Sequence, residues 1–264
     1  MKASALTPRR LLRGARHRRQ LRRLAGPKLL SAFADQYPSA SFVEIGANDG
    51  EQHDHLRPFI LSRGWTGVMV EPVPYVFERL RRNYADVERV VTENVAIADR
   101  DGRLPFYHLV APDPAERDGL PSWYDGIGSF SRDAVLGHAE HIPDVAERIV
   151  QTDVPALTFE SLCARHGIER VDLVLVDTEG YDWEIIRNID LAEQKPRLLV
   201  YEHFHLSPDD RASCRAHLHG HGYETMEEGF DTFCLDVSVS DPLSDLWRRL
   251  RPAVRGVAAS DENR

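Results

Sequence analysis

From residue 41 onward, short apolar runs alternate with segments whose apolar residues recur every three or four positions. That alternation restricts the fold more than any other feature of the chain. It implies an α/β architecture: a mostly parallel sheet with helices on both faces, since parallel neighbours need crossover connections. The expected strands are residues 41–45, 67–71, 87–98, 171–176 and 198–202, with a terminal hairpin at 223–227 and 232–237 around Gly229. The expected helices are 54–62, 75–84, 158–166, 182–188 and 208–219. Residues 107–147 break the rhythm, with Pro112, Pro114, Pro121, Pro143 and glycines at 119, 126 and 128. An insertion of that length in a compact domain is expected to be a lid or binding region. The domain is expected over residues 31–240, between a basic arm at 1–30 and a tail at 241–264.

Composition separates the ends from the middle. Apolar content of 42% and charged content of 28% suit a globular core, and no apolar run is long enough to span a bilayer. Ten of the 33 Lys and Arg residues, and none of the 42 acids, fall within the first 28 positions. Such an arm fits a solvated segment resting on its own acidic body, a contact with an anionic surface, or a targeting peptide. The acidic remainder argues against nucleic acid as a partner. Cys163, Cys214 and Cys234 are scattered, without CxxC spacing. Reduced thiols in a cytoplasmic protein are expected, with no disulfide framework and no zinc-finger pattern. Nothing in the sequence fixes oligomeric state, and a homo-oligomer is compatible with it.

In an open α/β sheet, ligands bind beyond the carboxyl ends of the strands, so candidate residues are sought there. The first strand ends in Glu44-Ile45-Gly46-Ala47-Asn48-Asp49-Gly50. Gly46 and Gly50 let the chain turn tightly and bring backbone N–H groups near a ligand. The spacing is not G-x-G-x-x-G, and Asp49 would repel a pyrophosphate, so a neutral or cationic ligand is expected. Glu71 ends the second strand, where an acid accepts hydrogen bonds from both hydroxyls of a ribose or simply meets solvent. After the third strand, Ala96 is small enough to floor a purine pocket. Asp177 and Glu179 follow the fourth; in an extended chain they face one side, and they equally suit a helix start. Glu202, His203 and His205 follow the fifth. An imidazole or carboxylate there can act as general base. Asp177, Glu179, Glu202 and His203 together can hold a divalent ion such as magnesium. His53 and His55 either line the ligand's entrance or start a surface helix. His217, His219 and His221 are expected to solvate a helix end.

Taken in order, "EIGANDG" (44–50), "GWTGVMVEPVPYVFERLRRNY" (64–84), "ENVAIAD" (93–99), "GIGSFSRD" (126–133), "VPALTFESLCARHGI" (154–168), "VDLVLVDTEGYDWEII" (171–186) and "PRLLVYEHFHL" (196–206) resemble the FkbM-type methyltransferases. The resemblance covers roughly residues 40–236. It implies a class I methyltransferase fold: seven strands, the last in sequence antiparallel, and S-adenosylmethionine as cofactor. It implies cofactor contacts from Glu44, Gly46, Ala47, Asn48 and Gly50, ribose recognition by Glu71 beside Pro72, and an adenine site at Asn94, Val95 and Ala96. Asp177 is implied beside the methionine end. Ser129, Phe130, Tyr181 and His205 are the expected contacts of a hydroxyl-bearing acceptor, a sugar or glycan or a secondary metabolite. Asp177, Glu179, Glu202 and His203 are the expected catalytic groups. The chain departs from the family pattern at Glu44, where Asp is usual. Two other readings compete: an NAD-linked oxidoreductase or epimerase on a similar sheet, and a non-catalytic partner subunit.

Overall fold

The structure is a computed structural model that describes residues 24–254. The basic positions before Leu24 lie outside the described residues. Strand β1 (Ser41–Ile45) carries Phe42 towards one face of a sheet and Val43 and Ile45 towards the other, all buried. Both faces are therefore covered, as strands of a parallel sheet require. Its neighbours are β2 (Thr66–Val70), β3 (Val90–Glu93), β8 (Leu173–Val176), β9 (Leu198–Glu202), β10 (Tyr223–Glu228) and β11 (Asp231–Asp236). The seven-stranded order is β10-β11-β9-β8-β1-β2-β3. Only β11 runs antiparallel; it inserts between β9 and β10 after the expected hairpin. The chain winds outwards from β1 to β3 and then restarts at β8 on β1's other side. The switch point lies between β1 and β8, and a ligand crevice belongs there.

Helices cover both faces. One layer holds Phe33 of α1 (Ala25–Gln36), Ile60 of α2 (Arg57–Ser62) and Leu80 of α3 (Pro74–Asn83) against Phe42, Trp65 and Met69. The other holds Leu162 of α6 (Phe159–Arg165), Ile185 and Ile186 of α7 (Asp182–Ile186), and Leu218 of α8 (Pro208–Gly220) against Val43, Val174 and Leu199. No helix among the described residues is long and apolar enough to cross a membrane.

Two segments differ from the sequence expectation. Residues 87–98 are two strands rather than one. β3 stays in the large sheet, while β4 (Ala96–Ile97) pairs with β7 (Ile149–Leu157) in a second sheet of order β4-β7-β5-β6, with β5 Gly102–Leu109 and β6 Gly128–Ser129. The break falls at Asn94, whose amide donates to the carbonyls of Glu71 and Pro72 at 2.8 and 3.1 Å and so holds the strand ends together. The insertion carried by this second sheet has its own core of Leu109, Tyr124, Ile127, Val135, Ile142 and Val145. Two short helices, α4 (Arg132–Leu136) and α5 (Val145–Arg148), contribute to that core.

The second difference is at the carboxyl end. Residues expected as a tail form helix α9 (Pro242–Val254), which packs against α1 and buries Leu243 and Trp247 in the main core. Trp247 Nε1 donates to Glu224 Oε2 at 2.7 Å. The buried Arg197 guanidinium donates to Asp241 Oδ1 at 2.7 Å and Ser244 Oγ at 2.9 Å, pinning the start of α9 to the start of β9. The sequence alone leads to the expectation of a tail here, because the helix's docking partner α1 lies more than 200 positions away in sequence. Trp247→Ala should lower unfolding free energy by about 3–5 kcal/mol, the cost of emptying a large aromatic site. Urea titration followed by circular dichroism measures it, and a loss near zero would show that α9 is dispensable.

Candidate active site

A pocket of about 700 Å³ opens over the switch point. That volume falls in the range of small-molecule sites. The strand ends supply its floor: Glu44, Gly46, Ala47 and Asn48 after β1, Glu71 and Pro72 after β2, Val95, Ala96 and Ile97 around β4, Asp177 and Glu179 after β8, and Glu202 at the end of β9. The insertion supplies the opposite wall, with Trp123, Ser129, Phe130 and His138. Tyr181, Phe204, His205 and Phe230 complete the rim, and His53 and His55 stand at it as well.

The turn after β1 alternates left-handed residues: Gly46 at φ 81°, Asn48 at φ 50° and Gly50 at φ 65°. Each glycine is needed for a different reason. A Cβ on Gly46 would lie 1.7 Å from the Asp177 carbonyl, so this position allows β1 and β8 to close together beneath the pocket. A Cβ on Gly50 would meet Tyr84 and Leu80 at 2.5 and 2.6 Å. Gly50 therefore packs against α3, and the expected ligand contact there is corrected. Asp49 also turns away: its carboxylate accepts from the backbone of Glu51 and Gln52 at 3.0 and 2.9 Å. Asn94, expected at the adenine, sits behind the pocket wall as a strand staple.

Glu71 is held as a fixed acceptor. Val73 N–H donates to one carboxylate oxygen at 2.8 Å and Asn48 N–H to the other at 3.1 Å. Burial nevertheless pushes its pKa up to about 7. Burial likewise raises Glu44 well above the ordinary carboxylate range, and desolvation by the surrounding pocket floor raises Asp177, which still opens to the pocket, with neighbouring acids adding to both effects. Glu202 is raised by burial and then by Asp177 and Glu179. Asp182, buried at the start of α7 and hydrogen-bonded by Thr178 Oγ1 at 2.9 Å, is pushed up to about 7 by burial. Among the described residues, no Lys or Arg lines the pocket. One oxygen each of Glu44, Glu179 and Glu202 is buried without a hydrogen-bond partner. Buried carboxylates with no cation cost several kcal/mol each unless protonated or matched by a ligand, so the site is built for a cationic, hydrogen-bond-donating molecule.

Asp177 and Glu179 both reach the pocket, but not by strand alternation. β8 ends at Val176, and Glu179 adopts φ 53° in the turn that follows. β9 similarly ends at Glu202, so alternation fails one residue later. His203 turns to the far side of the sheet, where Nδ1 contacts Thr232 Oγ1 at 2.8 Å in a buried position. The expectation that His203 is a catalytic base or metal ligand is corrected, and with it the four-residue magnesium set. His205 takes its place: its Nε2 lies 3.0 Å from Glu179 Oε2 and 3.9 Å from Glu202 Oε1. His138 comes 3.9 Å from the same Glu179 oxygen. Sequence reasoning missed His138, since nothing near it marks a motif. It is delivered by the insertion, which Asp125 clamps to the domain by accepting from Arg79 Nη1 at 2.8 Å, Arg117 Nη1 at 2.7 Å and Tyr75 Oη at 3.2 Å.

A sheet of this order, with one antiparallel strand inserted next to the edge and a ligand pocket at the switch point, defines the class I methyltransferase fold. The FkbM methyltransferase domain profile matches residues 44–228, and the chain belongs to that family. A 2-O-methyltransferase, NoeI, from Sinorhizobium fredii is 26% identical over 171 residues. The match covers 63% of this chain and 64% of that protein, so the chain spans less than two thirds of that relative. Among solved structures, an FkbM methyltransferase from Methylobacillus flagellatus is 14% identical with a TM-score of 0.46, over 75% of this chain and 44% of its own. A fibrillarin from Aeropyrum pernix with bound S-adenosyl-L-methionine is 12% identical with a TM-score of 0.37, over 75% of this chain and 66% of its own.

The raised acids make a stability prediction. The folded state keeps the Glu71 proton up to about pH 7, whereas the unfolded chain releases it near 4.5. The ligand-free protein is then stabilised fully below that lower value, and the contribution is lost as pH rises through 7. Glu71→Gln should flatten the fall in unfolding free energy between pH 5 and 8 by up to about 3 kcal/mol. Denaturant titrations of both proteins across that range measure it; parallel pH profiles would contradict the burial of an ionising Glu71.

Proposed function

We propose that the protein transfers a methyl group from S-adenosylmethionine to the hydroxyl oxygen of an acceptor. The observation that carries this reading is the acid-lined pocket, with no basic lining residue among the described residues, at the switch point of a class I methyltransferase sheet. When bound, S-adenosylmethionine supplies an electrophilic methyl group on a sulfonium, and it carries an ammonium and ribose hydroxyls but no phosphate. The residues present fit those groups. Glu71, fixed by two backbone N–H groups, accepts from the ribose hydroxyls. Val95, Ala96, Ile97 and Phe106 offer an apolar floor to the adenine. Glu44 and Asp177 face the cationic end, and the turn at Gly46 to Asn48 lets the backbone approach it. A dinucleotide is disfavoured, because α2 starts at Arg57, twelve residues after β1 ends, and aims no helix N-terminus from this turn.

The acceptor lies on the insertion side. Phe204 and Phe230, 56% and 60% exposed with ring centroids 4.6 Å apart and packed edge to face, give an apolar rim beside Trp123, Phe130 and Tyr181. A sugar ring or a secondary-metabolite ring suits that rim, and the S. fredii relative, a 2-O-methyltransferase by name, supports oxygen as the nucleophile. The acceptor hydroxyl meets His138, Glu179 and His205, and its proton is lost there. Holding the oxygen in line is itself worth much of the barrier, up to about 7–11 kcal/mol for well-oriented partners. Three buried free thiols suit a reducing cytoplasmic compartment.

Calorimetry with S-adenosylmethionine and, separately, NAD tests the cofactor assignment; binding of NAD alone would sink it. Glu71→Ala should weaken S-adenosylmethionine binding by about 10- to 100-fold, the scale of hydrogen bonds to a charged group. His205→Ala should leave that affinity nearly unchanged while lowering methyl transfer, read by mass spectrometry with isotope-labelled cofactor, by roughly 100-fold. Retained turnover would remove His205 from the acceptor side.

A further inference from the structure

Three side chains at the acceptor end of the pocket converge on one point. His138 Nε2 and His205 Nε2 approach the same oxygen, Glu179 Oε2, at 3.9 and 3.0 Å. That oxygen is buried and has no aligned hydrogen bond. One donor atom from each of the three residues lies within 4.8 Å of the other two. A pair held only by a hydrogen bond would align one imidazole N–H on the carboxylate and leave the second imidazole elsewhere. Here two imidazoles and a carboxylate face each other, and among the described residues no Lys or Arg lines the pocket beside them. We propose that His138, Glu179 and His205 form a binding site for a divalent first-row transition-metal ion.

The geometry and the chemistry agree. An ion about 2.0–2.2 Å from each donor needs donor atoms roughly 3–3.5 Å apart. From separations within 4.8 Å, closing to that range takes at most roughly 1.3–1.8 Å, within reach of side-chain torsions. Imidazole with carboxylate selects zinc, cobalt, manganese or iron over magnesium and calcium, which take oxygen donors. The free thiols are buried away from the pocket, so a soft-metal site is excluded there. The ligands are also oriented from outside: Trp123 lies 5.5 Å from the His138 ring and Phe204 packs edge-on against His205 at 4.9 Å. Glu179 is held in a left-handed backbone conformation, which a non-glycine residue keeps only where its surroundings enforce it.

Three protein ligands leave coordination positions open, and the pocket is the side on which they open. A hydroxyl oxygen arriving there would bind the ion. The ion would make the hydroxyl more acidic: its O–H bond would break with the electron pair staying on the oxygen, and the proton would leave to solvent through the mouth. The ion would also tie His138 of the insertion to the turns after β8 and β9, so metal uptake would hold the insertion against the sheet.

The test uses the full chain and metal alone. After equilibrium dialysis against zinc or cobalt, elemental analysis should find one ion per chain that excess magnesium does not displace, and bound cobalt should show ligand-field absorption. His138→Ala, His205→Ala and the size-preserving Glu179→Gln should each weaken uptake by at least roughly 10- to 100-fold, a loss typical of even an outer partner of a metal site. Circular dichroism confirms that each variant is folded. His217→Ala should bind as the parent does, although the rings of His217, in the last turn of α8, and His221, just after it, have centroids 4.5 Å apart. Absence of stoichiometric uptake, unchanged affinity in the folded variants, or loss in His217→Ala instead would overturn the proposal. None of these readouts needs methyl transfer, so their failure leaves the cofactor assignment standing.

Discussion

Desolvation of carboxylates at the ends of four neighbouring strands is the constraint on which the structure turns. Glu44, Glu71, Asp177 and Glu202 sit where the parallel sheet stops and its apolar cover gives way to the pocket. Desolvated at the floor of the pocket, they are raised above the ordinary carboxylate range, and neighbouring acids add to the effect. The fold tolerates this because the strands beneath are apolar on both faces and supply the offsetting burial. It also fixes the acids individually, Glu71 by two backbone amides and Asp182 by Thr178. What remains unmatched is aimed at the pocket, which is the arrangement a preorganised electrostatic site requires.

The insertion depends on a second balance of charge. Asp125 is buried, and a lone buried carboxylate would be costly, yet it is met by two guanidinium groups and a phenol. Arg79 and Tyr75 belong to α3, on the domain, while Arg117 and Asp125 belong to the insertion. The clamp thus fixes the acceptor wall relative to the cofactor floor. The insertion's own apolar core, centred on Tyr124, Ile127 and Val135, makes it a packed unit rather than a loose loop. A rigid wall is what allows His138 to meet Glu179 and His205, which come from the opposite side.

Legibility in the sequence followed the range of the interactions. Strand ends and the glycine turn are local properties, so β1, β9 and the hairpin fall where the pattern puts them, and Gly46 and Asn48 occupy left-handed positions. Rules of alternation stop where strands stop. Glu202 is the last residue of β9, so period two could not separate His203 from His205. Gly50 was legible as a turn glycine but not as a packing one, because Leu80 and Tyr84 lie 30 and 34 positions away in sequence. The same limit hid α9's place in the core, the split of residues 87–98 between two sheets, and His138. Each depends on a partner that no local pattern names.

Glu44 shows how the departures and the regularities connect. It lies on β1 on the face that carries Phe42, yet it is charged-capable, buried, and lacks a partner for one oxygen. Asp54 and Asp177 raise it further, after burial itself. Burial and the neighbouring acids favour the protonated form of such a group. A cation entering the site favours their ionised forms and must release their protons. Uptake of a cationic cofactor is therefore a proton exchange at the strand ends: it strengthens as pH rises, while the stability of the empty fold weakens over the same interval. Binding and folding are set against each other by the same buried acids, and the ligand is what reconciles them.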